Sequence, residues 1–129
     1  MTIQRINPDS LPTPPAAYSQ VVKAGTTITI AGMIAVDSDG NTVGEGDIAA
    51  QTKQALENMK ACLEATGSSM ENVIQATVFL TDFANYTGYN AVFGEYFKDH
   101  PPARATVCAA LAKPEWLVEI MGIAVVDES

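Results

Sequence analysis

Two charged residues lie in apolar stretches near the C-terminus, and their types suit acid–base chemistry on a small anion. Glu119 is the single charged residue of the segment LVEIMGIAVV (117–126), whose other nine residues are apolar or Gly. Arg104 lies 15 residues earlier and is followed by an uncharged segment, ATVCAAL. A buried carboxylate is costly unless it is paired, hydrogen-bonded or protonated. Glu119 therefore needs an explanation, and Arg104 is a candidate partner.

Two interpretations of this pair are open. The residues lie in what look like adjacent strands and could form a buried or interfacial structural ion pair, although desolvation can cancel the attraction in such a pair. Alternatively, Arg104 binds an anionic ligand, because its planar guanidinium matches a carboxylate with two parallel hydrogen bonds. Glu119, partly withdrawn from water, would then have a raised pKa and act as a general acid or base.

Three further residues are candidate ligand contacts, and each also has a simpler interpretation. Tyr18 lies where an N-terminal arm joins the first strand, and as a packed aromatic it needs no ligand. Gly32 interrupts a strand, which favours a β-bulge or a place where bare backbone approaches a ligand. Asn90, in the second helix, is either a surface polar residue or a site contact.

The composition narrows the class of function. The chain has 15 acidic and 7 basic residues and a net charge of −8, whereas nucleic-acid-binding proteins usually carry a basic surface. One His and two Cys exclude the usual four-ligand Cys/His zinc site, and His100 lies in a KDHPP loop that suggests no Ser-His-Asp triad. We expect Cys62 and Cys108 to be buried as small hydrophobic residues and not to form a disulfide in a reducing compartment.

The length of 129 residues favours one domain, 1–129, that can bury a core without disulfides. No run of 18 or more apolar residues is present, so we expect no transmembrane helix and no membrane partner. The N-terminal sequence MTIQRINPDSLPTPP lacks the apolar region of a signal peptide. These features predict a cytoplasmic protein.

Hydrophobic periodicity predicts a mixed order of strands and helices. A proline-rich arm (8–15) and a turn-rich loop (37–46) should have no regular structure. The strand signals fall at 18–25, 26–36, 72–82, 101–111 and 117–126. Two amphipathic helices are predicted at 47–67, with Asp47 as N-cap and Gly67 as terminator, and at 85–100, where Tyr86, Tyr89, Phe93 and Phe97 share a face.

This order predicts an α+β fold, with one mixed sheet and two helices packed on one side of it. The strands are apolar on both faces, so the face without helices also needs cover. Large apolar patches are rarely left exposed in a monomer. We therefore predict a homo-oligomer.

The chain as a whole resembles a known family. The C-terminal motif PPARATV…LVEIMGIAV is similar to that of the Rid family, the reactive intermediate deaminases (RidA/YjgF type), and YSQVV, ITIAGMIAVD and YNAVFGEYF match other family segments in the same order. The resemblance covers essentially the whole chain, and the Arg–Glu spacing of the C-terminal motif is its most specific part. It implies a chorismate-mutase-like homotrimer with an inner β-barrel and outer helices.

The resemblance also implies a function and a site. Family members hydrolyse enamines or imines to 2-keto acids and ammonia, in pockets at subunit interfaces, without a metal or a cofactor. It places Arg104 on the substrate carboxylate and Glu119 on the water, with Tyr18, Gly32, Asn90 and Thr106 around the substrate. Holding water and imine together would supply much of the rate.

The chain departs from the family pattern around this pocket. Ala31 stands where many members have Ser, Thr106 stands where many have Cys, and Trp116 comes close to the site. The substrate could therefore be a larger imine, such as an aminomuconate-like intermediate of a particular pathway. The alternatives are a non-catalytic module that binds keto acids, a ribonuclease or translation inhibitor, which the net charge and the single loop His disfavour, and a chaperone-like holdase.

Overall fold

The computed structural model describes residues 1–127 and shows one mixed sheet with two α-helices. Its strands follow the order β1-β2-β3-β6-β4-β5 across the sheet. Strands β1 to β6 span Ile3–Ile6, Val21–Ala24, Thr27–Met33, Val73–Leu80, Ala103–Cys108 and Val118–Val125, and helices α1 and α2 span Ile48–Ala65 and Tyr86–Phe97.

Two crossover connections place both helices on one face of the sheet. The chain passes from β3 through α1 to β4, and from β4 through α2 to β5. β4 and β5 pair in parallel, whereas β6 lies between β3 and β4 and is antiparallel to both. Such crossovers are almost always right-handed, and both proceed in the same direction across the sheet. The predicted α+β fold with both helices on one side is confirmed.

The helices close the core with the residue types that the periodicity indicated. The side chain of Asp47 caps α1 by accepting a hydrogen bond from the backbone N–H of Ala50 at 3.1 Å. Gly67 follows the helix with a φ of +81°, a conformation that glycine adopts without strain. From α2, Tyr89, Phe93 and Phe97 are buried against the sheet. The predicted cap, terminator and aromatic face are thus confirmed.

The other face of the sheet carries no helix among residues 1–127 and mixes exposed apolar side chains with polar ones such as Thr29 and Gln75. Strand β6 alternates, with Val118, Ile120 and Ala124 fully buried on the helix side. On the opposite side Met121 is 40% exposed and Val125 is 38% exposed, and Val107 of β5 is 42% exposed. This is the uncovered surface that the prediction of a homo-oligomer requires.

One strand was absent from the sequence prediction. β1 pairs antiparallel with β2 at the sheet edge, although its sequence IQRI is short and mostly exposed. The arm at 8–15 does lack helix and strand, as expected. Within the described part of the chain, neither helix combines the length and apolar character needed to span a bilayer.

Candidate functional site

Arg104 and Glu119 lie on opposite faces of the sheet. Strand β4 lies between their strands, so the expectation that these strands are adjacent is wrong. Arg104 is paired with Ala76 of β4, and Glu119 is paired with Phe79 of the same strand. Side chains alternate between faces along a strand, so positions three apart point in opposite directions. Within one chain, therefore, Arg104 and Glu119 form no ion pair with each other.

Glu119 lines a cavity of about 720 Å³ at the end of β3 and the start of β6. The walls come from the arm around 11–15, from β3 around 31–34 and from the loop that precedes β6. Burial raises the pKa of the Glu119 carboxyl above its ordinary value, because partial desolvation disfavours the charged form. A carboxyl in this setting can exchange a proton closer to neutral pH than a solvated one.

A β-bulge brings Gly32 directly against this carboxyl. The pairing of β3 with β6 shifts register between Ile30 and Met33, so β3 has an extra residue there. A Cβ atom built on Gly32 would lie 2.7 Å from Cδ of Glu119 and 2.9 Å from its Cγ, closer than packed atoms come. The position therefore has room for Glu119 only because residue 32 has no side chain.

Arg104 is held on the helix side by residues of α2. Its guanidinium donates one hydrogen bond to Oδ1 of Asn90 at 2.8 Å and another to the hydroxyl of Tyr86 at 3.0 Å. The guanidinium carbon lies 4.9 Å from the ring centroid of Phe93 and 5.4 Å from that of Tyr89, so stacking fixes its plane. The side chain remains exposed, beside a cleft of about 460 Å³. Among residues 1–127 its remaining N–H groups have no hydrogen-bond acceptor, so they can bind an anion.

Thr106 and Asn90 contact Tyr89 and Arg104, respectively. The hydroxyls of Thr106 and Tyr89 lie 2.9 Å apart in a hydrogen bond, which fixes the ring that flanks Arg104. Burial raises the pKa of Tyr89, so this phenol stays protonated. The structure therefore groups Arg104, Asn90 and Thr106 together and separates them from Glu119.

Tyr18 lies with Glu119 and Gly32 in the larger cavity. Its side chain is 50% exposed in the single chain, which leaves it accessible to a ligand or to a neighbouring subunit. Trp116 lines the same cavity and donates a hydrogen bond from Nε1 to Oγ1 of Thr42 at 3.2 Å.

Gln20 is a cavity residue that the sequence analysis did not identify. Its Nε2 donates to the carbonyl of Pro12 at 2.6 Å, which ties the arm to the sheet. Its Oε1 is buried and has no hydrogen-bond partner in the structure. Buried polar atoms are nearly always satisfied, so this oxygen is an exception among residues 1–127. A polar residue at the start of an apolar strand was the signal for it.

The remaining reactive side chains lie outside the cavity. Cys62 is buried in the core, where desolvation raises the pKa of its thiol to about 12. Cys108 is exposed at the end of β5, so the prediction that it is buried is wrong; neither thiol bonds to another cysteine within residues 1–127. His100 is exposed, with its Nε2 3.6 Å from the carboxylate of Glu71. Among residues 1–127, no three His, Cys, Asp or Glu side chains are grouped as metal ligands would be.

The predicted site residues thus form two half-sites. One, with Glu119, Gly32 and Tyr18, offers a carboxyl of raised pKa inside a cavity. The other, with Arg104, Asn90 and Thr106, offers an oriented guanidinium at the edge strand. Neither half-site contains both an anion-binding group and an acid–base group.

Comparison with known proteins finds a matching family and similar proteins over most of the chain. Residues 9–126 match the family described as Endoribonuclease L-PSP. A RutC family protein of Sulfurisphaera tokodaii is 41% identical over 112 residues, which cover 87% of this chain and 90% of that protein. The 3-aminoacrylate deaminase RutC of Acinetobacter baylyi is 38% identical, over 92% of this chain and 94% of that one.

The fold also matches solved structures. The crystal structure of RidA from an Antarctic Psychrobacter superimposes with a TM-score of 0.87 at 35% identity, covering 95% of this chain and 99% of that one.

Proposed function

The chain belongs to the Rid family, within the family described as Endoribonuclease L-PSP, and from that premise we propose that it is an enamine and imine deaminase. Its substrates would be reactive 2-imino or 2-enamino acids, which it hydrolyses to 2-keto acids and ammonia. We further propose that residues 1–129 form one domain of this type and that the protein acts in the cytoplasm.

The observation that carries the proposal is the carboxyl of Glu119, partly desolvated and set against Gly32 in a cavity. Proton transfer is efficient when the catalytic pKa lies near the working pH, and burial shifts Glu119 in that direction. A carboxyl with this environment is costly for folding, and a function explains its presence better than packing does.

In the proposed mechanism Arg104 binds the substrate carboxylate and Glu119 handles the proton. A water donates a proton to the Glu119 carboxylate as its oxygen attacks the imine carbon, and the C=N double bond becomes a single bond. Glu119 then returns that proton to the nitrogen. The hydroxyl proton of the tetrahedral carbinolamine then passes through Glu119 to the nitrogen, the C–N bond breaks with its electron pair on nitrogen, and the keto acid and ammonia leave. An enamine first takes a proton on carbon and loses one from nitrogen, which gives the imine.

The site that we propose is completed by a second copy of the chain. Because Arg104 and Glu119 lie on opposite faces of one sheet, Arg104 of one subunit must approach the Glu119 cavity of a neighbour. Arg104 is on β5, an edge strand of the sheet, and is exposed, which supports this arrangement. The resemblance to the Rid family favours a homotrimer with an inner β-barrel, which would also cover Met121, Val125 and Val107.

Ribonuclease activity, which the family description names, is less well supported. The net charge of −8 opposes binding to a polyanion. The one histidine is exposed beside Glu71, away from the cavity. A non-catalytic keto-acid-binding module remains the second candidate, because the oriented guanidinium of Arg104 alone would suffice for it.

The test measures ammonia and keto-acid release from enzymatically generated 2-aminoacrylate, and from 3-aminoacrylate, the compound in the name of the Acinetobacter relative. We expect acceleration by the wild type and its loss in Arg104→Ala and Glu119→Ala. Glu64→Gln, at an exposed position of α1, is the control and should retain the activity. Tight keto-acid binding without turnover would establish the binding module, and RNA cleavage that Arg104→Ala abolishes would reverse our ranking.

A further inference from the structure

The Glu119 cavity is larger and more apolar than a three-carbon imino acid requires. Its volume of about 720 Å³ lies within the range of pockets that enclose drug-sized ligands, roughly 300–1,000 Å³. Apart from Glu119, much of its wall is hydrophobic: it includes Leu11, Pro12, Pro14, Met33 and Trp116. Such a wall matches an apolar substituent on the substrate, far from the reacting carbon.

Trp116 is the largest side chain of this wall, and the structure holds it in place from several directions. Its Nε1 donates to Oγ1 of Thr42 at 3.2 Å. The ammonium of Lys113 lies 5.4 Å from the ring centroid, within cation–π distance. The indole is therefore restrained at its polar edge and on a ring face while it remains only partly buried.

A buried glutamine fixes the backbone on both sides of Trp116. Gln51 of α1 is fully buried; its Nε2 donates to the carbonyl of Glu115 at 2.9 Å, and its Oε1 accepts from the backbone N–H of Leu117 at 2.9 Å. A shift of the loop would break the Nε2 bond to Glu115, although Nε2 also donates to the carbonyl of Gly44 at 3.2 Å. It would also separate the buried Oε1 from the N–H of Leu117, and an unsatisfied buried acceptor is costly. Trp116 is thus a rigid, pre-positioned surface, and rigid aromatic surfaces bind flat ligands with little loss of entropy.

We propose that this cavity selects substrates with a flat, apolar side chain, such as aryl-substituted 2-imino acids, which stack on Trp116 while their reacting carbon faces Glu119. For the reacting end of the substrate, the inference rests on the proposed function. For the side chain of the substrate, it rests only on the residues of the cavity wall. At its upper end, the contribution of aromatic stacking beyond burial of area corresponds to roughly a tenfold preference.

The test separates binding from turnover. Calorimetry measures the Kd of phenylpyruvate and of pyruvate, the keto acids that correspond to an aryl and a short substrate. In parallel, an amino-acid oxidase generates the imines of phenylalanine and alanine, and their hydrolysis gives kcat/KM for each. We expect the wild type to prefer the aryl compound about tenfold in both measurements, and Trp116→Ala to lose most of that ratio. Trp116→Phe, which keeps a ring, should restore part of it.

Tyr96→Phe is the matched control, because Tyr96 is an aromatic residue whose hydroxyl contacts Glu57 between the helices, away from the cavity; it should leave the ratio unchanged. Equal binding of the two keto acids, or an unchanged ratio in a folded Trp116→Ala protein, would overturn the inference while deaminase activity could still stand. Conversely, a Trp116-dependent preference in binding without hydrolysis of either imine would support the ligand class and overturn the deaminase proposal.

Thr42→Val, which removes the hydrogen bond to the indole, should reduce the ratio less than Trp116→Ala does, and a full loss of the ratio there would count against stacking as its source.

Discussion

Gly32 lies in van der Waals contact with the carboxyl of Glu119, so closely that no side chain fits between them. The contact depends on the β-bulge in β3, which inserts the glycine opposite β6. It gives the carboxyl a fixed position and removes part of its contact with water. A residue without catalytic groups thereby determines where the acid–base group lies.

Gly32→Ala should therefore impair catalysis by displacing Glu119. The added Cβ would lie 2.7 Å from Cδ of Glu119, and the carboxyl has to rotate away from the reacting atoms. We expect kcat to fall by about 100-fold, within the range that a general acid or base contributes, while KM changes little because Arg104 lies elsewhere. Steady-state kinetics on 2-aminoacrylate would show this split. A raised KM with unchanged kcat would instead place Gly32 in substrate binding alone.

The raised pKa of Glu119 predicts a specific dependence of stability on pH. A carboxyl whose pKa is higher in the folded state than its ordinary value of 4.5 stabilises the fold fully below that value. The contribution is lost as pH rises through the folded-state pKa. Glu119→Gln removes the titration, so its Tm relative to the wild type should be higher at pH 8 than at pH 4. Glu64→Gln makes the same replacement at an exposed position of α1 and is measured in parallel. A Tm difference for Glu119→Gln that is independent of pH would contradict the prediction.

The orientation of Arg104 should matter as well as its charge. Arg104→Lys keeps the charge but loses the planar fork that Asn90 and Tyr86 hold. We expect KM to rise by about 10- to 100-fold, the equivalent of one charge-assisted hydrogen bond or two. Asn90→Ala should raise KM by only about fivefold, since it loosens the guanidinium without removing it. Equal activity of the lysine variant and the wild type would show that only the charge is used.

Parts of this arrangement were predictable from the sequence, and the limits have physical causes. Glu119 and Arg104 stood out because each is a charge in an apolar strand, and local patterns also indicated Asp47 and Gly67 at the ends of α1. The faces on which the two charges lie could not be read from the sequence. They depend on β4, which folds between β5 and β6 through long-range pairing. β1 was missed because a four-residue edge strand leaves little local signal. Gln20 was missed because a polar residue at the start of an apolar strand is an ambiguous signal.

Mixed oligomers should reveal whether two subunits build each site. Arg104→Ala and Glu119→Ala subunits are each inactive in the proposed mechanism. If Arg104 of one copy serves Glu119 of the next, random mixing after refolding together gives about a quarter of the interfaces both intact groups, as expected for a closed ring. We expect activity to recover to about that fraction of the wild type. No recovery, with mixing verified by mass spectrometry, would mean that the two groups do not act in one site.

The sheet face without helices should be the surface on which the copies meet. Met121 lies on that face of β6 and is 40% exposed in the single chain, whereas subunit contact would bury it. Met121→Glu would then place a charge in an apolar interface, which costs several kcal/mol unless the charge is paired. We expect this variant to elute as a monomer and to lose at least about 100-fold in kcat/KM, because each site lacks the neighbour's Arg104. Lys60→Glu, which also adds negative charge but at an exposed position of α1, should keep the wild-type mass and activity. A Met121→Glu protein that stays oligomeric and active would show that the copies meet through another surface. A wild-type protein that is monomeric by light scattering would remove the basis for a shared site altogether.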